Sequence, residues 1–137
     1  RDNLWKGSDL LATGIASFGH VSDVHYQNLP EWKDYVGALL EENRLPLGRA
    51  LRPTEEQLLI REVILQLKRG YLDAGYFQEK YSTDILERWK TVWNQYAEDG
   101  LLTLGESRVE LTRQGLLRAD SLLPAFFAEE HQGIRYT

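Results

Sequence analysis

Residues 54–100 read TEEQLLIREVILQLKRGYLDAGYFQEKYSTDILERWKTVWNQYAEDG, and their periodicity decides the fold class. Thr54 followed by Gln57 is a capping-box pattern, which supplies partners for the free amides at a helix start. Leu59, Ile60, Val63, Ile64 and Leu67 then form a broad apolar stripe at helical spacing, and Gly70 stops it. A short helix is expected over about 74–81, carrying Tyr76, Phe77 and Tyr81. Asp84 and Glu87 form a variant of the capping box, after which Ile85, Trp89, Val92, Trp93 and Tyr96 share one face until Gly100.

Working outward toward the C-terminus, Leu102 and Leu104 alternate with Leu101 and Thr103. Gly105 to Arg108 is turn-like, and Val109 and Leu111 alternate with Glu110 and Thr112, so a small hairpin is expected. Thr112 can cap a last helix that runs through Leu116, Leu117, Leu122 and Leu123 to Phe127. Helix, helix, helix, hairpin, helix is the order of a winged helix. The expected fold is therefore mainly α with a small β-hairpin, winged-helix-like over 54–127 and followed by a tail at 128–137.

Toward the N-terminus, Asp9 to Ser17 is a short apolar run ending in small residues, and Gly19, His20, Ser22, Asp23 and Asn28 mark irregular chain. One buried strand followed by a long loop is expected over 1–29. Such a strand would belong to a sheet whose other strands lie elsewhere, because a lone strand leaves its edges unpaired. Pro30 suits a first turn, and Trp32, Tyr35, Val36 and Leu39 recur at helical spacing, so a linker helix is expected to about Asn43. Pro46, Gly48 and Pro53 make 44–53 a connector.

The chain of 137 residues is the size of one domain, large enough to bury a core without covalent staples. It has no cysteine, which excludes disulfides, thiolate zinc, cysteine-ligated iron–sulfur clusters and a cysteine nucleophile. It opens on Arg1 and has no methionine, so it is expected to be a piece of something longer or a processed chain. No apolar run approaches the ~20 residues that span a bilayer, and a signal-peptide core is missing, so a soluble, cytoplasmic protein without a membrane partner is expected. The formal net charge of -5 repels phosphate backbones on average.

That balance weighs against DNA. The third helix of a winged helix commonly enters the major groove, yet its outward positions here include Asp84, Glu87, Arg88, Lys90, Asn94, Gln95 and Glu98, a mixed face without a positive excess. No nucleic-acid partner is expected, and the domain reads as a packing module. His20, Asp23 and His25 offer metal-type ligands, but in a spacing that matches no metal pattern, and His131 sits in a polar tail. Ser17 has no base partner in a triad-like pattern. The aromatic stripe of Trp89, Trp93 and Tyr96 reads as core. Gly14 to Gly19 lacks the glycine spacing of phosphate loops, but its small side chains let a ligand or another backbone come close; plain strand packing accounts for them equally.

Several stretches, in order, resemble the C-terminal third of the oxygen-independent coproporphyrinogen III oxidases and their radical-SAM relatives, which include a heme-chaperone branch. They are Leu11 to Ser17 leading into Ser17-Phe18-Gly19; Tyr26-Gln27-Asn28 followed by Tyr35; Leu51 to Thr54 before Ile60-Arg61-Glu62-Val63-Ile64; Asp99-Gly100-Leu101-Leu102; and Leu111-Thr112-Arg113-Gln114-Gly115-Leu116-Leu117-Arg118. The resemblance runs over nearly the whole chain. It implies a parent protein with a TIM-like barrel whose CxxxCxxC motif binds a [4Fe-4S] cluster and cleaves S-adenosyl-L-methionine, to decarboxylate porphyrinogen propionates in heme biosynthesis. None of those cysteines is present, so this stretch alone is not expected to hold the cluster or to turn over substrate.

By the same resemblance, Leu11 to Phe18 would be the last barrel strand. Ile15, Ala16 and Ser17 would contact S-adenosyl-L-methionine at its end, where barrel proteins place ligands. The helical domain would cover the barrel of the same chain and shield its porphyrinogen substrate. The alternatives are a heme chaperone of the same superfamily or a winged-helix nucleic-acid binder. A longer loop from Gly19 to Tyr26 and a different tail from Glu129 to Thr137 leave the substrate open.

Overall fold

In a computed structural model the described residues are 3 and 6–127; Trp5 and the tail 128–137, with His131, lie outside them. The chain is about half helical with two small antiparallel sheets. It divides into two compact units, one ending at Thr54 and the other beginning at Glu55.

The first unit is built on a three-stranded antiparallel sheet in the order β1 (Phe18–Val21), β2 (Val24–Asn28), β3 (Leu47–Leu51). This corrects the expectation for the N-terminal stretch. Leu11–Ser17 is not a strand, apart from an isolated bridge between Leu10 and His20, and the segment expected as loop is a hairpin. Ser22 and Asp23 both take positive φ, 49° and 62°, the conformation that matches a two-residue hairpin turn to the strand twist. The connector contributes β3, so pairing of β2 with β3 runs across the division expected at residue 30. The three strands of this sheet lie within the first unit, and Leu11–Ser17 is not one of them. The linker helix is shorter than expected: α1 spans Trp32–Val36 and passes into a π-turn over Gly37–Glu41.

The second unit carries the larger core. Helix α2 (Glu55–Lys68) begins directly after Thr54, and its stripe of Leu59, Ile60, Val63, Ile64 and Leu67 is buried. A strand that the sequence reading passes over, β4 (Tyr71–Asp73), leads into α3 (Ala74–Tyr81), capped by the Asp73 carboxylate accepting from the Gly75 amide. Asp84 caps α4 (Ile85–Arg88) by accepting from the Leu86 and Glu87 amides. The expected long helix breaks at Trp89, and α5 (Lys90–Glu98) continues beyond it. The Ile85 carbonyl accepts the Trp93 indole N–H at 2.9 Å as well as the Trp89 amide at 3.3 Å, and this shared acceptor loosens the turn. Gly100 stops the helix at φ 71°.

Strands β5 (Leu102–Leu104) and β6 (Arg108–Leu111) form the expected hairpin, with β6 in the middle of the sheet order β4–β6–β5. The last helix is segmented into α6 (Arg113–Leu117), α7 (Ala119–Leu122) and a 3-10 turn over Leu123–Phe126. Trp89, Trp93 and Tyr96 all meet Phe126, with ring centroids 5.5, 4.7 and 6.4 Å away, so the aromatic stripe is core. Thr112 closes the hairpin base: its hydroxyl donates to the Gly100 carbonyl at 2.8 Å and accepts from the Gly115 amide at 3.1 Å.

A buried carboxylate ties α2 to α3. The Glu62 side chain is 5% exposed and accepts from the Tyr76 hydroxyl at 2.7 Å, Lys80 Nζ at 2.5 Å and the Tyr81 hydroxyl at 2.9 Å. Burial pushes the Tyr76 hydroxyl up, and its bond to Glu62 acts in the same direction. Burial would lower Lys80, but its bonds to Glu62 and Tyr76 outweigh this and leave it raised. Burial, aided by the charge of Asp99, also raises Tyr96.

Two outcomes follow from this packing. A Cβ on Gly115 would lie 1.9 Å from the Leu101 carbonyl oxygen, a backbone atom with no freedom to move. Gly115→Ala is therefore expected to lower stability by about 3 kcal/mol in urea unfolding. Groups whose folded pKa is raised give stability that is complete below the ordinary values, 10.0 for tyrosine and 10.5 for lysine, and is lost as pH climbs through the raised ones. The thermal midpoint should thus fall above about pH 10, less steeply in Tyr76→Phe, whereas equal slopes would show that Tyr76 takes no part.

Candidate functional site

The segment expected to contact a ligand, Ile15, Ala16 and Ser17, is a tight turn fixed by side chains of β2 and α1. Its construction begins at Gly19. Gly19 faces Tyr26 across the β1–β2 pair, and a Cβ there would fall 2.2 Å from the Tyr26 ring. The ring occupies the space that a side chain on the glycine would need, and its hydroxyl accepts the Ala12 amide at 2.7 Å. From α1, the Tyr35 hydroxyl accepts the Gly14 amide at 3.0 Å. Asn28, at the end of β2, donates from Nδ2 to the carbonyls of Ala12 at 3.3 Å and Gly14 at 2.9 Å. Gln27 Nε2 donates to the Ala16 carbonyl at 3.2 Å, and the Ala16 amide donates to the Leu29 carbonyl at 3.0 Å.

Every peptide group at positions 12, 14 and 16 is thus engaged on one side, as in a strand, but largely by side chains instead of a ladder. This is why a short apolar run read as a strand forms no regular one. On the other side, among the described residues, the amides of Leu11, Thr13 and Ile15 find no acceptor, and Leu11 and Ile15 are 78% and 37% exposed. Gly14 and Ala16 take φ of 100° and 55°, and a left-handed alanine persists only where its surroundings over-determine it.

The other candidates are placed as follows. The Ser17 hydroxyl donates to the Thr13 carbonyl at 2.9 Å, a local turn bond that gives it no activating base. His20 and His25 are cross-strand partners with ring centroids 4.5 Å apart, and Asp23 Oδ1 lies 3.9 Å from His20 Nε2. Among the described residues no group of three or more histidines, aspartates or glutamates forms a set that could hold a metal. On the mixed face around α4 and α5, Arg88 pairs with Glu56 at 2.5 Å and Lys90 with Glu87 at 3.6 Å, so its cations already have carboxylate partners. An open cleft of about 200 Å³ there is lined by Asp84, Glu87, Lys90, Asn94 and Leu104 among others. No helix is long and apolar enough to cross a membrane among the described residues.

From the sequence, Asn28 marks irregular chain, Tyr35 belongs to a helical spacing, and both appear with Tyr26 and Gln27 in a resemblance, but none of the four is given a role at the turn. The available signal was two tyrosines and two amides close behind a glycine-rich turn, residues able to satisfy backbone groups that no strand covers. Tyr26→Phe deletes one such acceptor. Hydrogen exchange at the Ala12 amide should then speed up about tenfold while amides around Val63 keep their rates, and an unchanged Ala12 rate would show that the hydroxyl is not its partner in solution.

No family model matches the chain. It is 32% identical over 114 residues to an oxygen-independent coproporphyrinogen III oxidase of Helicobacter pylori (strain J99), covering 80% of this chain and 25% of that protein. It is 27% identical over 126 residues to the heme chaperone HemW of Bacillus subtilis (strain 168), covering 91% of this chain and 33% of that protein. Among solved structures, the coproporphyrinogen III oxidase HemN of Escherichia coli, a radical SAM enzyme, matches with a TM-score of 0.70 at 22% identity over 87% of this chain and 28% of that one. The chain thus spans about a quarter of the length of the first curated relatives it matches. Over most of its length this chain is a homologue of the oxygen-independent coproporphyrinogen III oxidases and of HemW, and its fold is that of the C-terminal part of HemN.

Proposed function

We propose that this chain is the C-terminal region of a cytoplasmic radical-SAM protein acting on a porphyrinogen, with residues 54–127 as a winged-helix-like cover and the N-terminal stretch as the end of a TIM-like barrel. The observation that carries this reading is the similarity to the oxidases over 80% of the chain. Two features of the first unit support it. The free amide edge of Leu11, Thr13 and Ile15 suits pairing with a neighbouring barrel strand. The exposed apolar side chains of Leu11, Phe18, Leu40, Leu45 and Leu51 suit a buried interface.

S-adenosyl-L-methionine fits the turn at Ile15, Ala16 and Ser17. Ile15 offers a part-exposed apolar side chain for the flat adenine, and Ala16, with only a methyl group, lets the ligand approach the backbone. The [4Fe-4S] cluster does not fit this chain's residues, which include no cysteine. When bound to the whole protein, the cofactor supplies the radical that starts oxidative decarboxylation. This chain's own part is to bind and orient the cofactor at the turn and to exclude water with the helical cover. HemW among the relatives favours a second reading, a heme chaperone with the same scaffold.

Ala16→Trp in the full-length protein tests the cofactor contact. A bulky side chain at a close-approach position should displace the ligand, so S-adenosyl-L-methionine affinity should drop at least about tenfold with iron content and helical stability unchanged. Unchanged affinity in the folded variant would remove the turn from the pocket.

A further inference from the structure

Asn28 is only 3% exposed, at the end of the central strand of a small sheet. The pairing register shifts between Gln27 and Asn28, so the strand is irregular where this side chain turns toward the 12–17 segment. Its side-chain amide holds the carbonyls of Ala12 and Gly14, and its own backbone amide donates to the Ser17 carbonyl at 2.9 Å. One residue therefore grips the turn on both sides of Ile15 and Ala16. Tyr35 and Gln27 add single bonds, to the Gly14 amide and the Ala16 carbonyl.

These contacts act on peptide groups and fill no apolar core. Within this segment they hold Gly14 and Ala16 at positive φ, 100° and 55°, and so fix the direction in which Ile15 and Ser17 face. Without them an alanine relaxes toward negative φ and the two flanking side chains swing away. We propose that Asn28 is the positioning residue of the ligand-contact turn, setting the backbone of Ile15–Ser17 against its ligand without touching that ligand itself. This rests on the reading that the turn contacts S-adenosyl-L-methionine.

The decisive variant is Asn28→Asp, nearly isosteric, which turns a double donor into an acceptor facing two carbonyl oxygens. In the full-length protein at about pH 8, equilibrium dialysis should show S-adenosyl-L-methionine bound at least about tenfold more weakly, with iron content unchanged. A buried carboxyl beside carbonyl oxygens has a raised pKa, and its protonated form regains one donor. Affinity of Asn28→Asp should therefore partly recover on lowering to about pH 6, whereas Asn28→Ala should not recover, a contrast that a merely structural loss would not produce. Affinity within about twofold of the parent in folded Asn28→Asp, or equal pH recovery in Asn28→Ala, would overturn the proposal. If Asn28→Asp does not fold, Tyr35→Phe decides: a loss of about threefold or more supports positioning by the clamp, and an unchanged value overturns it. Ala16→Trp separates the two levels, since normal binding there defeats the cofactor reading itself, and normal binding in the Asn28 variants alone defeats only the positioning role.

Discussion

A peptide group taken out of water must find a partner, and in the first unit that requirement falls on residues 12, 14 and 16, which have no neighbouring strand on their inner side. Two tyrosine hydroxyls, two side-chain amides and one carbonyl, that of Leu29, meet it. The rest of the unit arranges those groups. Gly19 leaves room for the Tyr26 ring, the Ser22–Asp23 turn sets the register that puts the two opposite one another, and α1 presents Tyr35. A sheet this small buries little apolar surface, so polar contacts with directional geometry define its conformation more than packing does.

The second unit follows the opposite logic. Stripes on α2, α5 and the terminal turns converge on one continuous core from Leu59 to Phe126, and polar groups appear in it mainly as ties between elements. Glu62 shows the cost and the gain of such a tie. A carboxylate this buried is stable only because three donors surround it, and those donors come from a single helix, so the bond set fixes how α3 lies on α2. Burial alone would have disfavoured the charge on Lys80, yet its position across from Glu62 reverses the balance.

Periodicity made the second unit legible. Apolar spacing, the Asp84 and Thr112 caps and the Gly100 stop all correspond to local geometry that a sequence window contains. Two departures came from partners outside that window. The break at Trp89 depends on an indole four residues on taking the Ile85 carbonyl, and β4 is a strand only because β6 lies beside it. The N-terminal stretch was hardest to read for the same reason. A short apolar run suggests a strand, but whether its peptide groups meet a strand or a set of side chains is settled by residues as distant as Tyr35. Ile15, Ala16 and Ser17 could be singled out by their small size and their place in a resemblance, whereas the clamp that shapes them could not, because none of its members looks unusual alone.

Much of the resemblance to the oxidases rests on letters that prove to be backbone requirements. Thr112 and Gly115 close the hairpin, Gly19 and Tyr26 stack across a strand pair, and Asn28 and Tyr35 satisfy a turn. Such residues transmit a scaffold, since any chain that needs this turn and this hairpin needs them, whatever ligand lies against it. That is why an oxidase and a heme chaperone can both stand among the relatives of one stretch of chain. On the reading proposed above, that the turn meets a ligand, the side chains of this segment that would face it are the exposed ones of the turn. Ile15 is the largest of them, and its side chain is held outward by a clamp that bonds only to backbone. A change at Ile15 leaves intact the bonds that build the turn, whereas a change at Asn28 removes two of them and reaches any ligand only through the backbone they hold.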